Sequence, residues 1–245
     1  MKTTIRLYVP GPLIAGADLL LPPDRSHYAS RVLRLRAGDD LVLFDGSDRE
    51  FPARVAQCSR EGVTAQVGEA RERSVESPLA IHLVQGISRG ERMDLVVQKT
   101  TELGVHRITP VATEFSVVRL GGEKAENRLR HWQKIAQSAC EQCGRNRVPI
   151  VDAPLALADR LQDAPSTEVL RVLLHPGAQR NLAPLDRPVA RVELLIGPEG
   201  GLSEGEIDRA VTAGFTPCSL GPRILRTETA AIAAVAVLQS HAGDL

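Results

Sequence analysis

The sequence predicts an α/β protein in two parts: a small β-barrel domain over residues 1–73 and an α/β domain over residues 74–245. Three observations predict it. Short alternating apolar segments with turn signals between them fill the first part. The charged stretch 71–78, ending in Pro78, separates them from a region where strands alternate with helices. Near the C-terminus, two glycine-containing loops leave β-rich segments within about thirty residues of one another, an arrangement suited to a ligand lying beyond strand ends.

Residues 5–9 alternate as a strand should. Residues 41–44 form a short apolar strand running into the turn signal Asp45-Gly46-Ser47, and residues 51–55 and 63–67 complete a meander. Between the strands, residues 27–36 predict a short helix ending at Gly38, from which Arg31, Arg34 and Arg36 project. A small barrel carrying an arginine helix suits RNA; the same residues also fit a solvated basic face.

In the second part, residues 79–85 predict the first strand. Ser88-x-x-Glu91 has the form of a capping box, opening a helix over 93–103 that Gly104 ends. Residues 107–112 are the next strand, with Pro110 favouring an edge or strand end. Residues 126–143 have long helical periodicity and stop at Gly144. A short helix over 155–161 and a buried strand over 169–174 follow, the latter running into His175-Pro176-Gly177. Residues 192–196 form an apolar strand that breaks into Gly197-Pro198-Glu199-Gly200-Gly201, and a helix starts at Ser203. After another short strand, residues 219–230 precede an Ala/Val-rich helix, with Thr227 as its candidate N-cap and Glu228 in its first turn.

Composition excludes several classes. The 30 basic and 30 acidic residues balance, so net charge does not advertise nucleic acid, although a neutral chain can carry a basic face. Only four basic residues are lysines, and an arginine excess suits phosphate and base contacts. No window approaches the ~18 apolar residues of a membrane helix, and the N-terminus lacks a signal-peptide core. The four cysteines show no disulfide framework, and Cys140-x-x-Cys143 has no second pair at zinc spacing. A cytoplasmic protein without membrane or metal partners is expected. The six histidines form no H-E-x-x-H cluster, and no G-x-S-x-G elbow is present.

The glycine loops match neither G-x-G-x-x-G nor G-x-x-x-x-G-K-[ST], and Glu199 would repel a phosphate. In the second loop, Arg223 and Arg226 flank Ile224-Leu225 directly after a Gly-Pro turn. Capping does not account for that surplus positive charge, which points to an anionic partner.

Gly197-Pro198-Glu199-Gly200-Gly201 followed by Leu220-Gly221-x-Arg223-Ile224-Leu225-Arg226-Thr227-Glu228-Thr229-Ala230 resembles the bacterial 16S ribosomal RNA uracil-N3 methyltransferases of the SPOUT, or trefoil-knotted, superfamily. Gln85-Gly86, Lys99-x-x-Glu102-Leu103-Gly104 and Glu141-Gln142-Cys143-Gly144-Arg145 carry the likeness further, and Arg31-Val32-Leu33-Arg34 resembles the family's N-terminal PUA-like domain.

The resemblance implies a deep trefoil knot in the C-terminal SPOUT α/β domain and a homodimer. It also implies S-adenosylmethionine as cofactor, with 16S rRNA in the small ribosomal subunit as partner and a uridine of the decoding-site helix as target. The implied cofactor residues are Leu174, His175, Gly177, Ile196, Gly197, Gly201, Ser219, Leu220, Gly221, Ile224, Leu225 and Thr227. Glu199 near a cationic sulfonium is tolerable where it would hinder a phosphate. Arg226 or Arg223 would stabilise developing charge on the uracil oxygens, and Glu199 or Glu228 would accept the N3 proton. Arg6, Arg31, Arg34 and Arg145 are the candidate RNA contacts. Competing readings are a SPOUT enzyme acting elsewhere on RNA, such as a ribose 2′-OH, and a non-catalytic RNA-binding assembly factor.

Overall fold

The computed structural model describes residues 4–116, 122–162, 166–183, 185 and 188–245. The chain divides into two compact units, Met1–Glu76 with Gln137–Val148, and Ser77–Ala136 with Pro149–Leu245. The second part of the chain is therefore not the contiguous piece expected from residue 74 onward. Residues 137–148 belong to the first unit because their polar groups bond there: Tyr8 N donates to Glu141 Oε1 at 3.0 Å, and Asn146 Nδ2 donates to Arg73 O at 2.6 Å.

The first unit is β-rich. Its strands are β1 (Arg6–Tyr8), β2 (Asp18–Leu20), β3 (Asp40–Phe44), β4 (Arg49–Cys58), β5 (Val63–Val67) and β6 (Arg71–Glu72). The sheet runs β1-β3-β4-β5-β2, with β6 beside β4. β1 lies parallel to β3, and the other pairs are antiparallel. Alternation puts Leu7, Leu41, Leu43, Phe51, Val55 and Ala65 in one core.

The arginine helix differs from expectation. It is α1 (Pro23–His27) continued by a π-helical turn, Tyr28–Val32. It starts early because Pro23 occupies the first turn, where a missing N–H costs little. It stops early because Arg34 adopts φ 55°. Arg34 and Arg36 thus leave from the loop, not from the helix.

The second unit alternates strands and helices. In order these are β7 (Ala80–Gly86), α2 (Glu91–Glu102), β8 (Arg107–Ala112), α3 (Glu123–Cys143, whose end belongs to the first unit), β9 (Ile150–Val151), β10 (Leu155–Ala156) and α4 (Leu157–Arg160). Next come β11 (Leu170–Leu174), β12 (Arg191–Ile196), α5 (Glu204–Thr212), β13 (Thr216–Cys218) and α6 (Thr227–Ala242). The sheet order is β10-β8-β7-β12-β11-β13, with β9 also on β8, and all pairs are parallel. Parallel strands covered on both faces read as apolar runs, as the buried Leu194, Leu195 and Ile196 of β12 do.

Three local expectations need correction. Pro110 is not on an edge strand, since β8 is paired on both sides. Ile150 N and Asp152 N donate to His106 O and Ile108 O, so even-numbered residues of β8 face β9. Pro110 comes next in that series, where pairing passes from β9 to β10, and its missing N–H falls in the gap. The Ser88/Glu91 box does not form. Gly90, at φ 58°, is the N-cap of α2, and the Ser88 hydroxyl donates to Gly86 O. Residues 155–161 split between β10 and α4. By contrast, Ser203 and Glu206 do form a capping box at α5.

At the N-terminal ends of the parallel strands, Glu193 is buried between Arg160 and Arg171. His82 Nε2 lies 2.7 Å from Thr109 Oγ1, and burial lowers the His82 pKa to about 3. Among the described residues, no helix is long and apolar enough to cross a membrane.

Candidate functional site

At the opposite, C-terminal ends of β11 and β12, the second unit opens a cleft of about 580 Å³, within the roughly 300–1,000 Å³ of small-molecule sites. The end of β11 contributes Leu174, His175 and Pro176. The loop after β12 contributes residues 196–202, and the loop before α6 contributes Leu220, Gly221 and residues 223–227. Glu228 and Ala230 of α6 and Arg92 of α2 complete the lining.

The glycines have different jobs. A Cβ on Gly197 would lie 3.0 Å from the Gly201 carbonyl carbon, so that position serves close approach. Gly201 and Gly221 have open space around them and are needed instead for φ 74° and 93°. Gly86, at the end of β7, is tighter than any of these: its Cβ would sit 2.4 Å from Pro198 N.

Two residues expected at the cofactor are not in the lining. The Ser219 hydroxyl bonds Arg180 O at 3.4 Å and Asn181 Oδ1 at 3.2 Å, because a bridge pairs Asn181 with Ser219 and turns it inward. Gly177 lies past the turn, beside the His175 ring. Thr227 lines the cleft but is not an N-cap. Arg226 holds that place with extended backbone, and the Thr227 hydroxyl donates to Gly197 O at 2.7 Å.

The two carboxylates are unequal. Glu199 Oε1 accepts from Arg92 Nη1 at 2.6 Å and from Arg89 N at 3.0 Å. Burial pushes the Glu199 pKa up, but the hydrogen bonds from Arg92 and the backbone outweigh it and hold the carboxyl below its usual range. Glu199 is therefore an ionised, occupied acceptor. Glu228, in the first turn of α6, has its Oε2 buried with no hydrogen-bond partner among the described residues. A buried acceptor left unpaired is costly unless a ligand satisfies it. Arg223, Ile224 and Arg226 are exposed at this cleft, Ile224 by 85 %.

Arg92 was invisible to motif reading. The available signal was position, since it opens the helix after a strand whose end faces the crevice.

Of the RNA-contact candidates, Arg31 and Arg34 are exposed. Arg6 and Arg145 are not free for RNA. Arg6 bonds Glu50 at 2.7 Å and Asn146 at 2.6 Å, with its guanidinium 5.0 Å from the Phe44 ring centre. Arg145, with a side chain 4 % exposed, grips Glu76 through Nε and Nη2. Both arginines were drawn into ion pairs within the first unit because buried carboxylates there need partners. Cys140 is buried, donates to Arg147 O, and burial pushes its thiol up to about 12.

The residues of the cleft fit a methyl donor bearing a sulfonium, an amine and an adenine. Leu174, Ile196, Leu220 and Ile224 offer apolar cover, Gly197 permits backbone approach, and Glu228 offers an acceptor oxygen with no partner among the described residues.

Residues 75–239 match the RNA methyltransferase domain family, and residues 21–68 match the RNA methyltransferase PUA domain. The chain is 34 % identical to ribosomal RNA small subunit methyltransferase E of Buchnera aphidicola over 99 % of its own length and 96 % of that protein. It is 31 % identical to the protein of that name from Bacillus subtilis over 86 % of both. Among solved structures, a protein from Legionella pneumophila in complex with the bound cofactor SAM superposes with TM-score 0.93 at 43 % identity, covering 99 % of each chain. A ribosomal RNA small subunit methyltransferase E from Neisseria gonorrhoeae bound to S-adenosyl methionine gives 0.91 at 38 % identity, again covering 99 % of each.

Proposed function

The chain belongs to the ribosomal RNA small subunit methyltransferase E family, and from that membership we propose that it methylates N3 of a uridine in the decoding-site helix of 16S rRNA, using S-adenosylmethionine bound in the cleft. The observation that carries this reading is the pairing of the two loops around one cleft, in a fold shared over its full length with S-adenosylmethionine-bound relatives.

When bound, S-adenosylmethionine supplies a methyl group activated by its sulfonium. Leu174, His175, Ile196, Leu220, Ile224 and Leu225 would hold it. Neutral uracil carries a proton on N3, so the protein must remove it. Glu228 is the base we assign, because its Oε2 has no partner among the described residues whereas Glu199 is bound to Arg92. Proton transfer by a positioned carboxylate is worth about 10²–10⁴ in rate. Arg226, with Arg223 beside it, faces the same cleft and would stabilise negative charge spreading onto the uracil oxygens. A paired uridine hides N3, so the target must leave its helix to react. Exposed Arg31 and Arg34 of the β-rich unit would hold RNA phosphates.

We extend the proposal to a trefoil-knotted catalytic domain, a barrel-shaped PUA unit, a homodimer and a cytoplasmic location. The dimer draws support from α6, which buries Ala231, Ala234, Val235 and Leu238 yet leaves Ile232, Ala233, Ala236 and Val237 only half-covered. A helix apolar all round is ordinarily buried all round.

Calorimetry with S-adenosylmethionine tests the reading together with nucleoside mass spectrometry of rRNA from a deletion strain. Micromolar binding and loss of a base-methylated uridine are expected. Absence of binding at millimolar cofactor would leave an assembly factor instead, and loss of a ribose-methylated nucleoside would move the target to a 2′-OH.

A further inference from the structure

At the cleft, three chain segments meet at one hydroxyl. The Thr227 hydroxyl lies 2.7 Å from Gly197 O and 3.0 Å from Gln85 Nε2. The directions are fixed by chemistry. A carbonyl can only accept, so the single hydroxyl proton of Thr227 goes to Gly197 O, and Gln85 must approach with an N–H. Gln85 Nε2 also donates to Gly86 O at 3.1 Å and lies 3.5 Å from Gly197 O. Gln85 is 0 % exposed and Thr227 6 %, so their side-chain groups have little water to fall back on.

We infer that Gln85 and Thr227 form a positioning brace that sets the separation of the two ligand loops. The inference rests on the proposed use of the cleft for S-adenosylmethionine. Gly197 begins the first loop, and Thr227 ends the second. Their bond therefore ties the two loops together at the cleft, next to Ile196 in one and close to Leu225 in the other, both of which line it. Glu228 is the next residue along α6, so the same bond fixes where its carboxylate starts from. Gln85 anchors the pair to β7, a strand flanked by β8 and β12 in the sheet. The Thr227 hydroxyl has both its proton and an acceptor site engaged within the protein. Its contribution to the ligand is the position of the loops. Capping does not explain the residue, since Arg226 is the N-cap.

The test uses full-length Thr227→Val and Thr227→Ser, calorimetry with S-adenosylmethionine, and steady-state kinetics on small ribosomal subunits. Valine keeps the shape and removes the hydroxyl, so Gly197 O loses its 2.7 Å donor and is left with the 3.5 Å approach of Gln85 Nε2, while the buried Gln85 amide loses its acceptor at Thr227. We expect Kd and KM for S-adenosylmethionine to rise about ten-fold or more, a loss of about 1.4 kcal/mol per factor of ten, with KM for the RNA substrate unchanged. Serine should restore cofactor affinity to within about two-fold. Should the valine variant not fold, Gln85→Met removes only the amide arm, and a rise of about three-fold in Kd is expected. A variant that melts earlier but binds S-adenosylmethionine as the unsubstituted protein does would overturn the brace and leave a merely structural bond. If the unsubstituted protein itself binds no S-adenosylmethionine, the proposed function fails instead.

Discussion

Alanine at Gly86 would place a Cβ 2.4 Å from Pro198 N, 2.5 Å from Pro198 Cδ and 2.8 Å from Gly197 C. Ordinary van der Waals contact begins near 3.4 Å, so the neighbours must retreat by about 1 Å. They are backbone and ring atoms and cannot rotate away. β7 cannot yield either, because Gly86 is buried and its strand is held by β8 and β12. Overpacking of this kind costs about 1–3 kcal/mol, and here we expect about 3 kcal/mol because no flexible side chain can absorb it. Strain relieved by moving Pro198 displaces a loop that lines the cleft, so the Kd for S-adenosylmethionine should rise by about ten-fold or more. Urea unfolding and calorimetry read the two effects. Gly205→Ala is the matched control: it lies in α5 with nothing among the described residues within 4 Å of its Cβ site. There alanine should stabilise by about 0.5–1 kcal/mol. Gly86→Ala with stability within about 0.5 kcal/mol of the parent and unchanged cofactor affinity would refute the steric reasoning.

Three further outcomes follow from the site and its surroundings. Glu228→Gln keeps the side-chain shape but removes the base, so single-turnover methylation should fall about 10²–10⁴-fold while the protein still binds S-adenosylmethionine. Normal rates would return the proton to another acceptor. Arg145→Ala should lower the stability of the protein by about 3–5 kcal/mol by stranding the Glu76 carboxylate, whereas Arg31→Glu should leave the melting temperature unchanged and weaken RNA binding. Filter binding and thermal melts would show the reverse pattern if Arg145 were the RNA contact. For His82, the folded pKa of about 3 lies below the ordinary 6.5, so between those values the unfolded chain takes up a proton that the folded chain refuses. Stability from this residue is full above pH 6.5 and declines toward pH 3, with a limiting slope of about 1.4 kcal/mol per pH unit. His82→Gln should flatten that part of the stability–pH curve; an unchanged slope would contradict it.

Periodicity and glycine made much of the scaffold legible. The strands at 63–67 and 107–112 and the stops of α2 and α3 at Gly104 and Gly144 follow from local pattern alone. The two loops announced the cleft because their glycines serve backbone needs that no other residue meets. Misreadings came where a residue's partner is remote in sequence. Thr227 has the look of an N-cap, but its hydroxyl is taken by Gly197, 30 positions away. Arg6 and Arg145 look like free cations until Glu50, Asn146 and Glu76 are seen beside them. Glu199 and Glu228 are indistinguishable as letters, and the contacts of Arg92 and Arg89 N with Glu199 separate them. Residues 137–148 leave no compositional trace of joining the first unit, since what holds them there is long-range polar bonding.

Transfer of a labelled methyl group to small ribosomal subunits from a strain lacking this protein, followed by mapping of the modified nucleotide, probes substrate and chemistry together. Label on N3 of a single uridine in the decoding-site helix, abolished by Glu228→Gln and reduced by Thr227→Val, is the expected result. Label on a ribose 2′-OH, on another base, or nowhere would contradict the assignment of the cleft to uracil-N3 methylation.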